Sequence, residues 1–382
     1  MAHSSAPTFA SAGPESDTAY KPLAYLAPMD GLRALAVLLV LWSHIPFVPE
    51  IPFTKLSWEI TQKLSIGYFG VDIFFILSGF LITRILLNTL ENEGKISLRT
   101  FYIKRAIRIF PVYYLCVLFY VAFFAFDGRS LVSLLTYSFN YYHALHPTPH
   151  PLEHTWSLAV EEQFYLVWPF LVAMIPAARG KLITGLFIPS LAAALALAFA
   201  TLMEGTLAGD MIYMSSLTRM MSLSLGASLA YRENTTSNLS PQQACGIIGL
   251  GVSLLLLDFV LRSFRIIPAA GYFQAFALVG FALLSFGAVA LLLSPDSRLM
   301  QKAQSFLTLS PLRYIGRISY GLYLYHYLLL YVLGIQLAET EAKGASGSTV
   351  LAFIVLTFGL AALSFRFFEE PLLRLKSRFA RS

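Results

Sequence analysis

Long apolar runs recur along the chain and constrain its fold more than any other feature. An α-helix needs roughly 20 apolar residues to cross a bilayer. Suitable runs lie at about 31–48, 66–87, 109–126, 158–176, 181–203, 212–231, 245–261, 272–293, 314–335 and 350–368. Charged residues make up only 13% of the chain, against about 25% in soluble domains. These features predict an all-α, polytopic membrane protein with about ten transmembrane helices.

The segments outside these runs give the expected domain organisation. Residues 1–20 are rich in Ala, Ser, Pro and Gly and lack the apolar core of a signal peptide, so they are predicted to be a flexible tail. We expect one membrane domain over 21–376 and a short basic tail at 377–382. The run 131–142 is too short to cross unaided and is interpreted as re-entrant or interfacial, with an eleventh span left open.

The distribution of basic residues predicts the orientation. Ten spans place both termini on one side, and most Lys and Arg residues fall in the loops of that side. The positive-inside rule then predicts cytoplasmic N- and C-termini. The net charge of +6 is therefore interpreted as topological and not as a nucleic-acid surface. Cys116 and Cys245 both lie in apolar stretches, so neither a disulfide framework nor a metal site is expected.

Ionisable residues inside the runs are costly and are candidate functional residues. Arg33 and His44 in the first run are eleven residues apart. This spacing places them on one helix face, about 16 Å apart along the axis. One stripe would then join an anion-binding group to a titratable base. Alternatively, Arg33 snorkels to the surface or pairs with Asp30, and His44 is a core histidine.

The second run combines a carboxylate with small residues. Asp72 is a candidate functional group, with Ser78 near it on the helix, or else a buried ion-pair partner of an arginine in an adjacent helix. Gly67, Gly70 and Gly79 predict close approach of neighbouring helices.

Three cations, Lys104, Arg105 and Arg108, lie where the third run enters the membrane. Arg105 and Arg108 are neighbours on one helix face. Guanidinium groups bind phosphate oxygens in pairs, so this cluster suits a polyphosphate ligand. The alternative is a membrane anchor that binds lipid headgroups.

The fourth run opens with a polar segment. Ser157 is predicted to be a helix N-cap, and Glu161 and Glu162 follow near the first turn, where the helix dipole favours anions. Adjacent residues point about 100° apart on a helix, so at least one of these carboxylates should face the bundle interior. Arg219 and His326 in later runs are further candidates, each with a structural alternative.

Together these segments resemble the membrane-bound acyltransferase 3 family. The resemblance rests on Arg33 and His44 in an Arg-x10-His pattern, and on four blocks in the family's order: FGVDIFFILSGFLITRIL, KRAIRIFPVYY, WSLAVEEQFYLVWP and FFEEP. The resemblance covers nearly the whole chain. The sequence is similar to a stand-alone form of the family, without the C-terminal esterase-like domain that many relatives carry. Two departures are Tyr325 and Leu328 around His326, where the family usually has Trp and Pro.

The resemblance implies an integral enzyme of the cell inner membrane. Such an enzyme transfers an acyl group, commonly acetyl, from cytoplasmic acyl-CoA to a hydroxyl of a cell-envelope glycan or another exported acceptor. It implies His44 as the catalytic base, an acidic pair at Glu161 and Glu162, and arginines near the CoA entrance. Because His44 and the acidic pair are both expected in the outer half, they could meet, and a carboxylate would then orient the imidazole ring.

Residue chemistry and resemblance together assign each candidate. The catalytic residues are His44, Glu161 and Glu162, the CoA-binding residues are Arg33, Lys104, Arg105 and Arg108, and the residues that support substrate or structure are Asp72, Ser78, Trp156, Ser157, Arg219 and His326. Expected partners are acyl-CoA, a hydroxyl acceptor and the bilayer, with no metal and no nucleic acid. The alternative function is a secondary transporter or lipid-linked exporter that uses the intramembrane charges as a proton relay.

Overall fold

The computed structural model describes residues 23–203, 205–264, 270–294, 298–335 and 344–375. The two predicted tails, 1–20 and 377–382, lie outside these residues. In the described part the regular secondary structure is helical throughout, which confirms the all-α class. The helices are α1 (Ala27–His44), α2 (Pro52–Lys63), α3 (Ile66–Glu93), α4 (Leu98–Phe123), α5 (Gly128–Leu135), α6 (Phe139–Leu145), α7 (Trp156–Met174), α8 (Ala177–Leu182), α9 (Ile188–Leu202), α10 (Gly205–Met214), α11 (Ser216–Asn234), α12 (Pro241–Ser263), α13 (Ala270–Leu292), α14 (Arg298–Leu307), α15 (Ser310–Arg317), α16 (Ser319–Val332), α17 (Gly347–Ser364) and α18 (Glu370–Leu375).

Every predicted apolar run is helical, although the runs 212–231 and 314–335 are each divided between two helices. Six described helical segments are long and apolar enough to cross a bilayer: Ile66–Glu93, Leu98–Phe123, Ala177–Leu202, Pro241–Leu261, Gln274–Leu292 and Gly347–Arg374. Helices α1, α7 and α11 are less apolar because they carry the polar residues of the candidate site, and α16 has only 14 residues. The chain is therefore a multi-pass membrane protein. The number of ten spans and the cytoplasmic placement of both termini stay predictions.

The segment around 131–142 forms two short helices, α5 and α6, of eight and seven residues. Neither approaches the length of a transmembrane helix, which agrees with the predicted re-entrant or interfacial segment. Asp127 caps α5 by accepting a hydrogen bond of 3.0 Å from the backbone N–H of Ser130. The hydroxyl of Tyr142 donates to the same carboxylate at 3.0 Å, so α6 is tied back to the start of α5.

Helix α3 lies at the centre of the bundle. It packs against α1, α7, α11 and α13. Of its most apolar stretch 78% is buried, against 17% for the corresponding stretch of α12. Residues of α3 are therefore positioned by neighbours on all sides, whereas α12 presents most of its apolar surface outward to lipid.

Small residues let α3 approach its neighbours closely. A Cβ atom at Gly70 would come within 2.7 Å of the Ala36 carbonyl oxygen in α1. A Cβ atom at Gly79 would overlap the carbonyl oxygen of Leu223 in α11. Backbone contact on both faces confirms the prediction of close packing, and it fixes α1 and α11 on two sides of α3.

Candidate active site

One end of the bundle encloses a cavity of about 600 Å³. We call it the arginine cavity, because its wall carries Arg33, Arg84, Arg105, Arg108 and Arg317. It opens to the surface beside the exposed side chains of Tyr25 and Arg317. Deeper in the bundle its wall is formed by apolar residues of α3 and α7 and ends at Ser157 and Tyr323.

Arg33, Arg105 and Arg108 converge on this cavity from α1 and α4, as the sequence indicated. Arg33 and Arg108 are close enough for their like charges to oppose each other. The Nε atom of Arg33 is buried and has no hydrogen-bond partner among the described residues. The Arg105 guanidinium lies 5.1 Å from the centre of the Tyr165 ring. An anionic ligand would satisfy the Arg33 donor and offset the cationic repulsion.

The set of cations that line the cavity differs from the predicted set at two residues. Lys104 is not among the residues that line the cavity, because it lies beside Arg105 on α4 and points along a different face. Arg84 of α3 does line it and was not singled out from the sequence. Its Nε atom pairs with Glu233 of α11 at 2.7 Å, and its Nη1 donates to the Ala24 carbonyl at 2.8 Å.

Glu161 faces the arginine cavity. Its carboxylate accepts hydrogen bonds from the Ser78 hydroxyl at 2.6 Å and from the Tyr165 hydroxyl at 3.1 Å. The charges of Arg33 and Arg105 act on it. Glu162 is not among the lining residues, and its buried Oε1 has no hydrogen-bond partner in the described part of the chain. The sequence allowed for this pair to meet His44, whereas Glu161 is instead bonded to Ser78 and Tyr165 and interacts electrostatically with Arg33 and Arg105.

Ser157 and Tyr323 form a wall at the inner end of the cavity. Their hydroxyl groups are hydrogen-bonded at 2.6 Å. Both hydroxyls also lie within hydrogen-bonding distance of the His154 carbonyl oxygen, at 3.2 and 2.9 Å. The prediction that Ser157 caps α7 is wrong, since the helix begins at Trp156 and no side chain caps it. Ser157 is instead the second residue of α7, and its hydroxyl bonds Tyr323 of α16.

Three histidines lie on the other side of this wall; we call them the histidine cluster (His44, His154 and His326). The rings of His44 and His326 are 5.2 Å apart, and those of His154 and His326 are 5.1 Å apart. The Tyr323 ring, which lines the cavity, is 5.2 Å from that of His154 and 5.6 Å from that of His326. The cavity and the cluster are therefore separated by the thickness of one side chain.

Hydrogen bonds define the tautomer of two rings in the cluster. The Nδ1 atom of His44 is 2.9 Å from the Val40 carbonyl oxygen. A carbonyl only accepts, so Nδ1 carries the proton and Nε2 of neutral His44 presents a lone pair. His326 is held in the same way, with Nδ1 2.6 Å from the Tyr323 carbonyl oxygen. Its Nε2 and both ring nitrogens of His154 are buried without hydrogen-bond partners among the described residues.

A carboxylate reaches the cluster through Tyr327. The Tyr327 ring meets that of His44 edge-on at 5.3 Å and stacks on that of His154 at 5.2 Å. Its hydroxyl donates to Glu153 Oε2 at 3.0 Å, and His143 Nε2 lies 3.4 Å from Glu153 Oε1. Burial opposes ionisation of Glu153, but the contacts with His143 and Tyr327 outweigh it and hold the pKa of Glu153 below its ordinary value.

Two histidines before α7, His150 and His154, are kept neutral by their surroundings. Burial lowers the pKa of His154 to about 3, and the neighbouring charge of His44 acts in the same direction. Burial likewise lowers the pKa of His150 to about 4, with a contribution from His143. His150 accepts from the Leu152 N–H at Nδ1, 3.0 Å away, so its Nε2 donates to Ser130 Oγ at 2.9 Å.

A protein-family model described as an acyltransferase domain matches residues 27–368. The chain belongs to the acyltransferase 3 family. It is 31% identical over 373 residues to the peptidoglycan O-acetyltransferase OatA of Listeria monocytogenes, and 31% over 376 residues to the putative peptidoglycan O-acetyltransferase YrhL of Bacillus subtilis. It is 29% identical over 374 residues to the O-acetyltransferase OatA of Staphylococcus aureus.

These matches cover 91% of this chain but 56%, 55% and 57% of the three relatives. The chain thus spans little more than half the length of the curated relatives it matches. No solved structure matches it. In this member of the acyltransferase 3 family, the Arg-x10-His pattern connects the two halves of the site, because Arg33 lines the arginine cavity and His44 belongs to the histidine cluster.

Asp72 and Arg219 form a buried ion pair beside the site of this acyltransferase 3 protein. Arg219 Nη1 lies 3.2 Å from Asp72 Oδ2, and each side chain is 1% exposed. Ser222 donates to the other carboxylate oxygen, and Arg219 Nε donates to the Tyr213 carbonyl at 2.5 Å. The guanidinium also lies 5.4 Å from the Trp156 ring. This is the ion-pair alternative that the sequence left open for Asp72.

Glu369 is a residue of the family's FFEEP block to which the sequence assigned no role. A π-helical turn, Phe365–Glu369, joins α17 to α18 and ends at this carboxylate. Glu369 is buried and lines the arginine cavity, where it accepts a hydrogen bond of 3.1 Å from Ser364. The FFEEP motif was the sequence feature that could have identified Glu369 as a site residue. Glu153 and His154 carried no comparable signal, because they precede the span in a loop.

Proposed function

We propose that this protein transfers an acyl group, in the simplest case acetyl, from acyl-CoA to a hydroxyl group of a cell-envelope glycan. The names of its relatives support an O-acetyltransferase that acts on peptidoglycan or a similar polymer. One observation carries the proposal. Tyr323 lines the cavity with cationic walls, and the same ring packs against His154 and His326 of the histidine cluster.

The arginine cavity suits the donor. Arg33, Arg105 and Arg108 would bind the phosphates of CoA, for which planar guanidinium groups are the best ligands in proteins. The unpartnered Nε of Arg33 is a donor in need of such an acceptor. Beyond the arginines, Phe74 and Leu158 give the wall an apolar surface along which the pantetheine arm would extend toward Ser157.

His44 is suited to be the base. Its Nε2 lone pair would accept the proton of the acceptor hydroxyl while that oxygen attacks the thioester carbonyl carbon. The carbon–sulfur bond then breaks, and the CoA thiolate takes the proton from His44 as it leaves. The products are the ester and free CoA, and the imidazole returns to its neutral form. His44 is partly exposed, so an acceptor can reach it.

The two substrates would approach from opposite sides of the membrane. Positive-inside counting supports a cytoplasmic position of the arginine cavity, the side on which acyl-CoA is made. The histidine cluster and the segment from α5 to α7 would then face the outer side, where the glycan lies. The catalytic step would take place at the wall between them.

The test is a transfer assay with purified protein in nanodiscs. Labelled acetyl-CoA and a peptidoglycan fragment are supplied, and ester product is measured. We expect His44→Ala to lose activity by a factor on the order of 10² to 10⁴, which is the usual contribution of a general base. His146→Ala, at an exposed histidine of the same end, is the matched control and should keep full activity. Substantial activity of His44→Ala would remove His44 from the proposed role.

A further inference from the structure

The carboxylate that faces the histidine cluster does not belong to the acidic pair of α7. Glu161 lies on the cavity side of the Ser157–Tyr323 wall, where it is held by Ser78 and Tyr165. Glu153 lies on the other side of that wall. Among the described residues, Glu153 is the carboxylate whose charge acts on the His44 ring.

The cluster itself supplies no negative charge. The His44 ring packs against His326 and Tyr327, and His326 packs against His154. None of these three side chains carries a negative charge at neutral pH. When His44 accepts a proton, a positive charge forms on a ring that is largely surrounded by protein and only partly exposed to solvent. Such a charge is destabilised unless an anion lies close to it. Glu153 is the group that can provide this anion.

Tyr327 connects Glu153 to His44 physically. Its hydroxyl is fixed by the hydrogen bond to Glu153 at 3.0 Å, and its ring lies edge-on against the His44 ring at 5.3 Å. The same ring stacks on His154. Loss of the carboxylate would free the Tyr327 hydroxyl, and the Tyr327 ring would then no longer be held against the His44 ring.

We propose that Glu153 is a positioning residue for the transfer reaction. Through Tyr327 it holds the His44 ring in place, and its charge offsets the positive charge that forms on His44 as the acceptor hydroxyl is deprotonated. This inference rests on the proposed function, and it adds a residue that neither the sequence motifs nor the comparisons single out.

The test separates the charge of Glu153 from its hydrogen bond. In Glu153→Gln the amide oxygen can still accept from Tyr327, but the negative charge is gone. We expect kcat to fall about tenfold, the order of magnitude that one partly screened charge supports, while KM for acetyl-CoA is unchanged. Glu153→Asp should recover most of the loss, because it keeps the charge. Glu50→Gln, at an exposed carboxylate just beyond α1, is the matched control and should behave as wild type.

The possible results are distinguishable. Wild-type kcat in Glu153→Gln would overturn the inference, and so would a loss expressed only in KM for acetyl-CoA. If Glu153→Gln does not fold, Tyr327→Phe replaces it, since this variant keeps the ring and removes the hydrogen bond. A reduced kcat in Tyr327→Phe supports the proposal, and an unchanged kcat overturns it. Absence of transfer by the wild-type protein would instead overturn the proposed function itself.

Discussion

Replacement of Asp72 by Asn tests whether the buried ion pair is structural. Both Asp72 and Arg219 are 1% exposed, so Asn would leave the guanidinium charge buried and uncompensated. Breaking such a pair from one side typically costs about 3–5 kcal/mol. With an unfolding entropy of about 2 cal/mol/K per residue, a chain of 382 residues should lose about 4–6 °C in thermal midpoint.

A double-mutant cycle with Arg219→Met gives the sharper result. Methionine is unbranched and carries no charge, and its thioether should pack well against the Tyr213 and Trp156 rings that surround Arg219. The double variant should be more stable than Asp72→Asn alone, because no unpaired charge remains. The assay is thermal unfolding of detergent-solubilised protein, followed by intrinsic fluorescence. An unchanged midpoint for Asp72→Asn, or a double variant whose loss equals the sum of the single losses, would refute the structural account.

Three further predictions concern the donor, the topology and the response to pH. Replacing Arg105 and Arg108 by Gln should raise KM for acyl-CoA more than KM for the acceptor, and Lys should restore only part of the loss because it lacks the bidentate geometry; an unchanged donor KM would favour a lipid anchor. In a cysteine-free background, an impermeant maleimide should label a cysteine at Thr148 in intact cells but not one at Ser97; the reverse pattern would invert the proposed orientation. Because His150 titrates at about 4 when folded and at about 6.5 when unfolded, it should contribute a loss of about 2 kcal/mol in unfolding free energy as pH falls from 7 to 5, and His150→Gln should abolish that part of the pH dependence.

The helices and the grouping of three arginines were predictable from the sequence. Apolar runs of sufficient length indicate helices directly, and each run is helical in the structure, although the breaks within 212–231 and 314–335 were not predicted. The family resemblance placed Arg33, Arg105 and Arg108 near one entrance, and in the structure all three line the arginine cavity.

The contacts between helices were not predictable. Helical periodicity gives which residues share a face, but not which neighbour that face meets. Glu161 was therefore expected near His44, whereas rotation of α7 directs it toward Ser78 on the cavity side. Glu153 and His154 were missed for a related reason, since a loop has no periodicity from which burial can be inferred.

The Ser157–Tyr323 wall also determines where the membrane voltage falls. A water-filled cavity carries the electrical potential of the adjoining solution inward, so most of the transmembrane potential is expected across the thin layer beyond the cavity. One elementary charge that crosses the whole field changes energy by about 2.3 kcal/mol per 100 mV. The arginines and any phosphates bound to them would sit near the potential of one solution, whereas a proton that passes the Tyr323 ring would cross much of the field. Between turnovers, an intact wall would therefore limit proton leakage through the bundle.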